Sequence, residues 1–446
     1  MALNPELRRY CWLELTPHRL IATPIIIGLI VALVSASGGI ETAGLAALGL
    51  AGFGVCAALA GGYFAVSAVT EEVRERTWDA QRMSALPPAS FALGKVLGAP
   101  VYGWYASAWF LALYLFTGPR VHGADALLIA GTAIGAALTV HGCAVILSAL
   151  AARTGVTRNF GLLVFVMALW SLGLPWQVLE PGKAPITWWG REMPQLWFAL
   201  VSSTWFAFWA LLGATRVFAT ELRVRQLPWA WPVFCLYIAV WGGGLIDAKV
   251  DGRANAAALV TLLFFLATGF GAYLLLLTER TGMMTVARVL RLLRGEVDGG
   301  ARRALQETPV WPVSLVCAWG AAVLLLALPW GVGGAALLND IAAEGKMMPL
   351  ALAAMLLRDS GIYCIFALAR FPRRAATVTL VYVALLDAVL PMLMAAAGLD
   401  TLAFLVFPLG RASATGALVI FLLQAAAAWA IAVLRWRAGQ KLNLAT

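Results

Sequence analysis

Charge is what this chain has least of. Only 12% of its 446 residues are Asp, Glu, Lys or Arg, about half the ~25% usual in a soluble domain. With 62% of residues apolar, an ordinary aqueous core cannot hide the hydrophobic surface, so the outer faces need lipid as solvent. Cysteine is scarce too. Cys11, Cys56, Cys143, Cys235, Cys317 and Cys364 stand singly, with no CxxC and no Cys/His cluster, which excludes a disulfide framework and a zinc site. They read as small buried hydrophobes. No paired carboxylates, His cluster or nucleophile motif marks an enzyme. A phosphate-cradling loop needs G-x-x-x-x-G-K-[ST], and the Gly-Lys pairs here, Gly94-Lys95, Gly182-Lys183 and Gly345-Lys346, are followed by Val, Ala and Met. No nucleotide or other cofactor is expected in this chain. The first twenty residues carry Glu6, Arg8, Arg9, Glu14, His18 and Arg19, unlike a signal peptide.

Long apolar runs are what is present. A span needs ~20 apolar residues, and that rule predicts twelve spans, near 20–36, 43–69, 91–117, 124–151, 159–176, 196–217, 229–246, 255–277, 311–333, 347–369, 375–397 and 414–434. Residues 4–19 mix Leu7, Tyr10, Trp12 and Leu15 with charges, as an amphipathic helix in the interface would. The tryptophans of 176–195 suit outer-interface structure. Twelve spans place 24 Lys and Arg on one side and 7 on the other, with Arg358 inside a span. By the positive-inside rule both termini are cytoplasmic. The net charge of +10 is then a topology signal, and nucleic acid is not an expected partner.

The chain repeats itself. Ala149-Leu150-Ala151-Ala152-Arg153 leads through an apolar span to Leu174-Pro175, and Ala367-Leu368-Ala369-Arg370 leads likewise to Leu390-Pro391. Glu75-Arg76-Thr77 follows the second span, and Glu279-Arg280-Thr281 the eighth. These matches predict two six-helix halves, residues 1–225 and 226–446, running parallel across the membrane because six is even. The fold class expected is an all-α integral membrane protein.

Between the second and third spans lies a charged stretch, Glu71-Glu72-Val73-Arg74-Glu75-Arg76-Thr77-Trp78-Asp79-Ala80-Gln81-Arg82, with Pro87-Pro88 expected to stop it. A short helix held between two long spans would pass force to both; the plainer reading is a solvated loop with anchoring arginines. Glu72, Thr77, Asp79, Leu86, Pro87, Gly94 and Lys95 resemble the coupling-helix segment of ABC-2 type transporter permeases, and the layout of residues 4–225 is similar to theirs. The resemblance implies a permease in the bacterial inner (plasma) membrane, multi-pass, surrounded by lipid and exporting a lipid, glycan, peptide or drug-like substrate. It implies two cytoplasmic ABC ATPase subunits in trans, which would bind ATP and Mg, and leaves a further accessory subunit open. Glu72, Glu75, Arg76, Thr77, Trp78, Asp79, Arg82, Leu86 and Pro87 would then form the ATPase contact.

The second half departs from that pattern. After Glu279, Arg280 and Thr281 comes a basic stretch through Arg288, Arg291, Arg294, Arg302 and Arg303, with no Leu-x-Pro and no Gly-Lys. It reads either as a diverged second coupling element or as an amphipathic surface helix on anionic lipid. Ionisable residues within spans are costly and are candidates for function: His141, Arg358, Asp359 and Asp387. Arg358 and Asp387 sit near mid-span of neighbouring helices and are expected to pair. Mid-span charges and twelve helices also describe an ion-coupled secondary transporter.

Overall fold

The computed structural model describes residues 4–36, 41–83, 86–154, 185–246, 253–279, 281–296, 298, 300–328, 345–368, 374–409 and 413–445. The chain divides into two compact units, one of residues 1–186 with 192–226, the other of 187–191 with 227–446. Among the described residues nine helices are long and apolar enough to cross a membrane, ten if one bent pair counts as a span. The chain is an all-α, multi-pass membrane protein. The fifth predicted span, 159–176, lies outside the described residues.

In the first unit α1 (Pro5–Glu14) opens with Pro5 at its first position, and the Asn4 side chain accepts from the amides of Glu6 and Leu7. α2 (Pro17–Ala36) is the first span. α3 (Thr42–Arg74) is the second, with a π-helical stretch at Val55–Ala60. It ends where the Thr77 amide reaches Glu72 O (2.9 Å) and the Arg76 amide reaches Val73 O (3.2 Å), with Arg76 at φ 60. That is a Schellman stop with arginine where glycine is usual. α4 (Trp78–Arg82) follows.

The third span is not one straight helix. α5 (Pro88–Gly98) and α6 (Val101–His122) meet at 55°, because Pro100 at the joint lacks an N–H to continue the ladder. The Pro87-Pro88 pair, expected to stop the charged helix, opens α5 instead: α4 is over by Met83 and Pro88 is the first residue of α5. α7 (Asp125–Thr154) and α8 (Gln195–Glu221) complete the unit.

Small residues set how closely these helices approach. A Cβ on Gly94 would lie 2.5 Å from Glu6 Cβ, and one on Gly98 2.7 Å from the Tyr10 ring, so the Gly94-x-x-x-Gly98 pair is the seat of α1 on α5. Gly135 and Gly142 seat α7 on Ser203 and Ala210 of α8 in the same way. A short hairpin, β1 (Ile186–Trp188) and β2 (Arg191–Met193), precedes α8.

The second unit holds α9 (Ala230–Ile246), α10 (Arg253–Thr278), α11 (Met283–Leu293), α12 (Gly300–Glu307) and α13 (Val310–Ala327). It continues with α14 (Met348–Ala367), α15 (Ala375–Ala396), α16 (Asp400–Val406) and α17 (Ala414–Ala445). Its core joins α10, α13, α14 and α17 around Leu262, Phe265, Ala318, Leu325 and Tyr363. α15 carries a π-helical stretch of its own at Leu385–Val389. Gly361 of α14 seats on Ala428 of α17. The Gly142–Ala210 contact of the first unit has its counterpart there, displaced by 219 and 218 positions. Tip residues of the hairpin belong to this unit: the Trp188 and Trp189 rings donate to Trp241 O (3.1 Å) and Val240 O (3.2 Å).

Candidate functional site

The charged stretch of the first unit is anchored by a buried ion cluster. Lys95 of α5 is fully buried. Its Nζ donates to Glu72 Oε2 (2.6 Å), Glu6 Oε1 (3.1 Å), Gln81 Oε1 (3.1 Å) and Tyr10 OH (3.4 Å). Arg9 bridges the two carboxylates from the other side, at 2.7 Å to Glu6 and 2.6 Å to Glu72. Two cations meet two anions, and each element contributes: α1 gives Glu6, Arg9 and Tyr10, α3 gives Glu72, α4 gives Gln81 and α5 gives Lys95. Asn4 adds a bond from its side-chain nitrogen to Ser90 O (2.6 Å).

Electrostatics follow from that geometry. Burial alone would push the Glu6 carboxyl up, but the hydrogen bond from Arg9 and the charge of Lys95 outweigh it and hold Glu6 below its ordinary value. Stability from this carboxylate is therefore complete at neutral pH and is lost as pH falls through the depressed value. Burial and the neighbouring Glu72 push the Tyr10 phenol up, so it is neutral.

A second set of contacts fixes the far end of α4. Arg82 donates from Nε and Nη2 to Glu221 O (3.3 and 3.2 Å) at the end of α8. The Glu221 carboxylate is itself held by Arg153 of α7. Between these anchors the Trp78 ring packs on Phe91 and Phe218 (centroids 6.0 and 6.2 Å), and Leu86 packs on the same core. The opposite side of the segment is open: Glu75, Arg76, Thr77, Asp79, Ala80, Met83 and Pro87 are exposed.

Of the residues singled out in the sequence, Glu72, Trp78, Arg82 and Leu86 turn inward as fasteners, whereas Glu75, Arg76, Thr77, Asp79 and Pro87 face outward. Lys95, which in the sequence stands only as the lysine beside Gly94 near the start of the third span, is the hub of the cluster. Sequence reasoning missed Glu6, Arg9, Tyr10, Gln81 and Glu221. The only signal was the Gly94-x-x-x-Gly98 pair, whose partner turned out to be α1.

The corresponding stretch of the second unit is built differently. Arg280 lies outside the described residues. Glu279 Oε2 accepts from the amides of Val310 (2.8 Å) and Trp311 (3.2 Å), capping α13, and the Trp311 ring donates to Thr281 Oγ1 (2.9 Å). So Glu279 and Thr281 are tied in, where Glu75 and Thr77 are exposed. α11 and α12 pair as a basic hairpin through Arg288 and Glu307 (2.6 Å). Arg291 is exposed.

Within the helices, Arg358 of α14 pairs with Asp387 of α15 (Nη2 to Oδ1, 2.6 Å) and with its neighbour Asp359 (Nε to Oδ1, 2.7 Å). Its Nη1 donates to Gln424 Oε1 of α17 (3.1 Å). Tyr273 of α10 donates its hydroxyl to Asp359 Oδ2. His141 has no such partners: its Nε2 donates to Ala57 O (2.7 Å), within the π-helical stretch of α3, and its ring stands edge-on to Trp104. No group of His, Cys, Asp and Glu among the described residues could hold a metal ion. The chain matches no family model, no curated protein and no solved structure.

Proposed function

We propose that this chain is the transmembrane permease subunit of an ATP-driven exporter of the ABC-2 kind, with two cytoplasmic ATPase subunits supplied in trans. One observation carries the reading. α4 is a short helix mounted between the ends of two long helices, rigidly fastened on one face and open on the other. A partner pressing on Asp79, Glu75 and Met83 would move α1, α3 and α5 together through Lys95. In this reading twelve spans form two parallel six-helix halves, 1–225 and 226–446, with both termini in the cytoplasm of a bacterial cell. ATP is hydrolysed on the partner, and the substrate is a lipid, glycan, peptide or drug-like molecule. The halves engage their ATPases unequally, because Glu279 and Thr281 are used within the fold.

The test is co-purification of the tagged chain with a P-loop ATPase encoded beside it. Asp79→Lys, on the exposed face, is expected to leave thermal unfolding unchanged and to weaken that association at least tenfold, about 1.4 kcal/mol. Changing Asp79 and Arg82 together is expected to abolish ATP-driven transport. Retention of full transport by the double variant, or purification with no ATPase, would sink the proposal.

The buried Arg358–Asp359–Asp387 group favours a second reading, an ion-coupled secondary transporter. That protein would lose transport when the membrane potential is collapsed and would ignore ATP.

A further inference from the structure

The two buried charge clusters of this protein differ in their arithmetic. Around Lys95 two cations face two carboxylates. Around Arg358 one guanidinium faces two. Both Asp359 Oδ1 and Asp387 Oδ1 lie 2.6 Å from the same nitrogen, Arg358 Nη2, so the two carboxyl groups are no farther apart than twice that distance. Like charges this close in a low-dielectric interior are strongly unfavourable. Arg358 and Asp359 have side chains 2% and 1% exposed, so water does not screen them.

Among the described residues no other cation pairs with either acid. α10 contributes Tyr273, whose single proton goes to Asp359. α17 contributes Gln424, which accepts from Arg358 and donates to Leu405 O and Val406 O (2.7 and 3.1 Å), and the Phe421 ring, which the guanidinium overlies. Elsewhere on these helices, Tyr363 donates to Glu279 O, Arg435 reaches Ile365 O, and Tyr382 packs on Phe366. α13 carries a free cysteine, Cys317.

The bonding also separates the two acids. Asp359 accepts on both oxygens, from Arg358 and from Tyr273, as a carboxylate does. Asp387 accepts on Oδ1 alone, and its side chain is 19% exposed. It stands in the π-helical stretch of α15, a distortion often found at functional sites. We infer that this cluster is a proton-binding site: Asp359 is the ionised partner of Arg358, and Asp387 carries one exchangeable proton on Oδ2. The cluster is then neutral as a whole, and the proton leaves or enters at Oδ2 without breaking the Arg358–Asp359 pair. The inference rests on the cluster alone and stands with either mode of transport above.

Infrared spectroscopy of the purified protein tests it without any partner or transport assay. The wild-type protein is expected to show a protonated-carboxyl C=O band at neutral pH that shifts in deuterium oxide and fades as pH rises. Asp387→Asn should remove that band and leave thermal unfolding unchanged, since the amide is the nearest neutral replacement for the acid. A neutral-pH spectrum with no such band, or with one that survives Asp387→Asn, overturns the proposal. So does a band that disappears on adding sodium at fixed pH, which would make the site one for an alkali cation. Failure of Asp387→Asn to fold also counts against it, because an ionised Asp387 is then what Arg358 requires.

Discussion

Replacing Lys95 by Met is expected to destabilise the folded protein by about 3–5 kcal/mol, the loss seen when one partner of a buried ion pair is removed. The volume is nearly kept, so the effect is electrostatic. Glu6 and Glu72 would be left facing each other with Arg9 alone between them, and Gln81 would lose its donor. Unfolding of the detergent-solubilised variant, by heat or denaturant, reads the loss. The cluster interpretation also requires rescue: adding Glu72→Gln to Lys95→Met restores the match of one anion to one cation and should recover a large part of the stability. A Lys95→Met protein as stable as wild type would show that the cluster does not hold α1 and α4 in place.

Arg358→Leu is the other large effect, again about 3–5 kcal/mol. Here the variant strands Asp359, whose remaining donor is Tyr273, in a site closed to water. If Asp387 is already neutral, Asp359→Asn in the same chain should rescue Arg358→Leu with no change at position 387. If both acids are ionised, rescue needs both replaced. Comparing the unfolding of the single, double and triple variants separates these outcomes, and recovery with the triple variant alone would contradict the proton assignment.

The helices themselves were legible because lipid admits few solutions: an apolar run of span length must be a helix with its backbone bonds satisfied internally. The Arg358–Asp387 pair was legible for a related reason, since isolated charges in adjacent spans have few partners to choose from. What could not be read was which ordinary-looking charges leave the surface. Glu6 and Arg9 look like any polar residues of an interfacial helix, and Lys95 like an anchoring lysine at the start of a span. Their burial depends on α1 docking over Gly94 and Gly98, a contact between segments some 90 positions apart in the chain. The bend at Pro100 was hidden as well, because the apolar run continues unbroken through it. In the second unit the letters Glu-Arg-Thr recur, but the shorter path from α12 into α13 turns Glu279 into a helix cap.

The two π-helical stretches, Val55–Ala60 in α3 and Leu385–Val389 in α15, limit how these helices can change in length. Each holds more residues in its turn than regular winding would. Deleting a single residue there would let the helix rewind as a regular one and leave everything beyond facing nearly as before, because the wider turn is what holds the extra residue. A deletion in the regular winding that follows would instead rotate everything beyond it by ~100° about the axis and, in α3, swing Glu72 away from Lys95. A one-residue gap is thus absorbed within Val55–Ala60 and forbidden between there and the charged end of the second span.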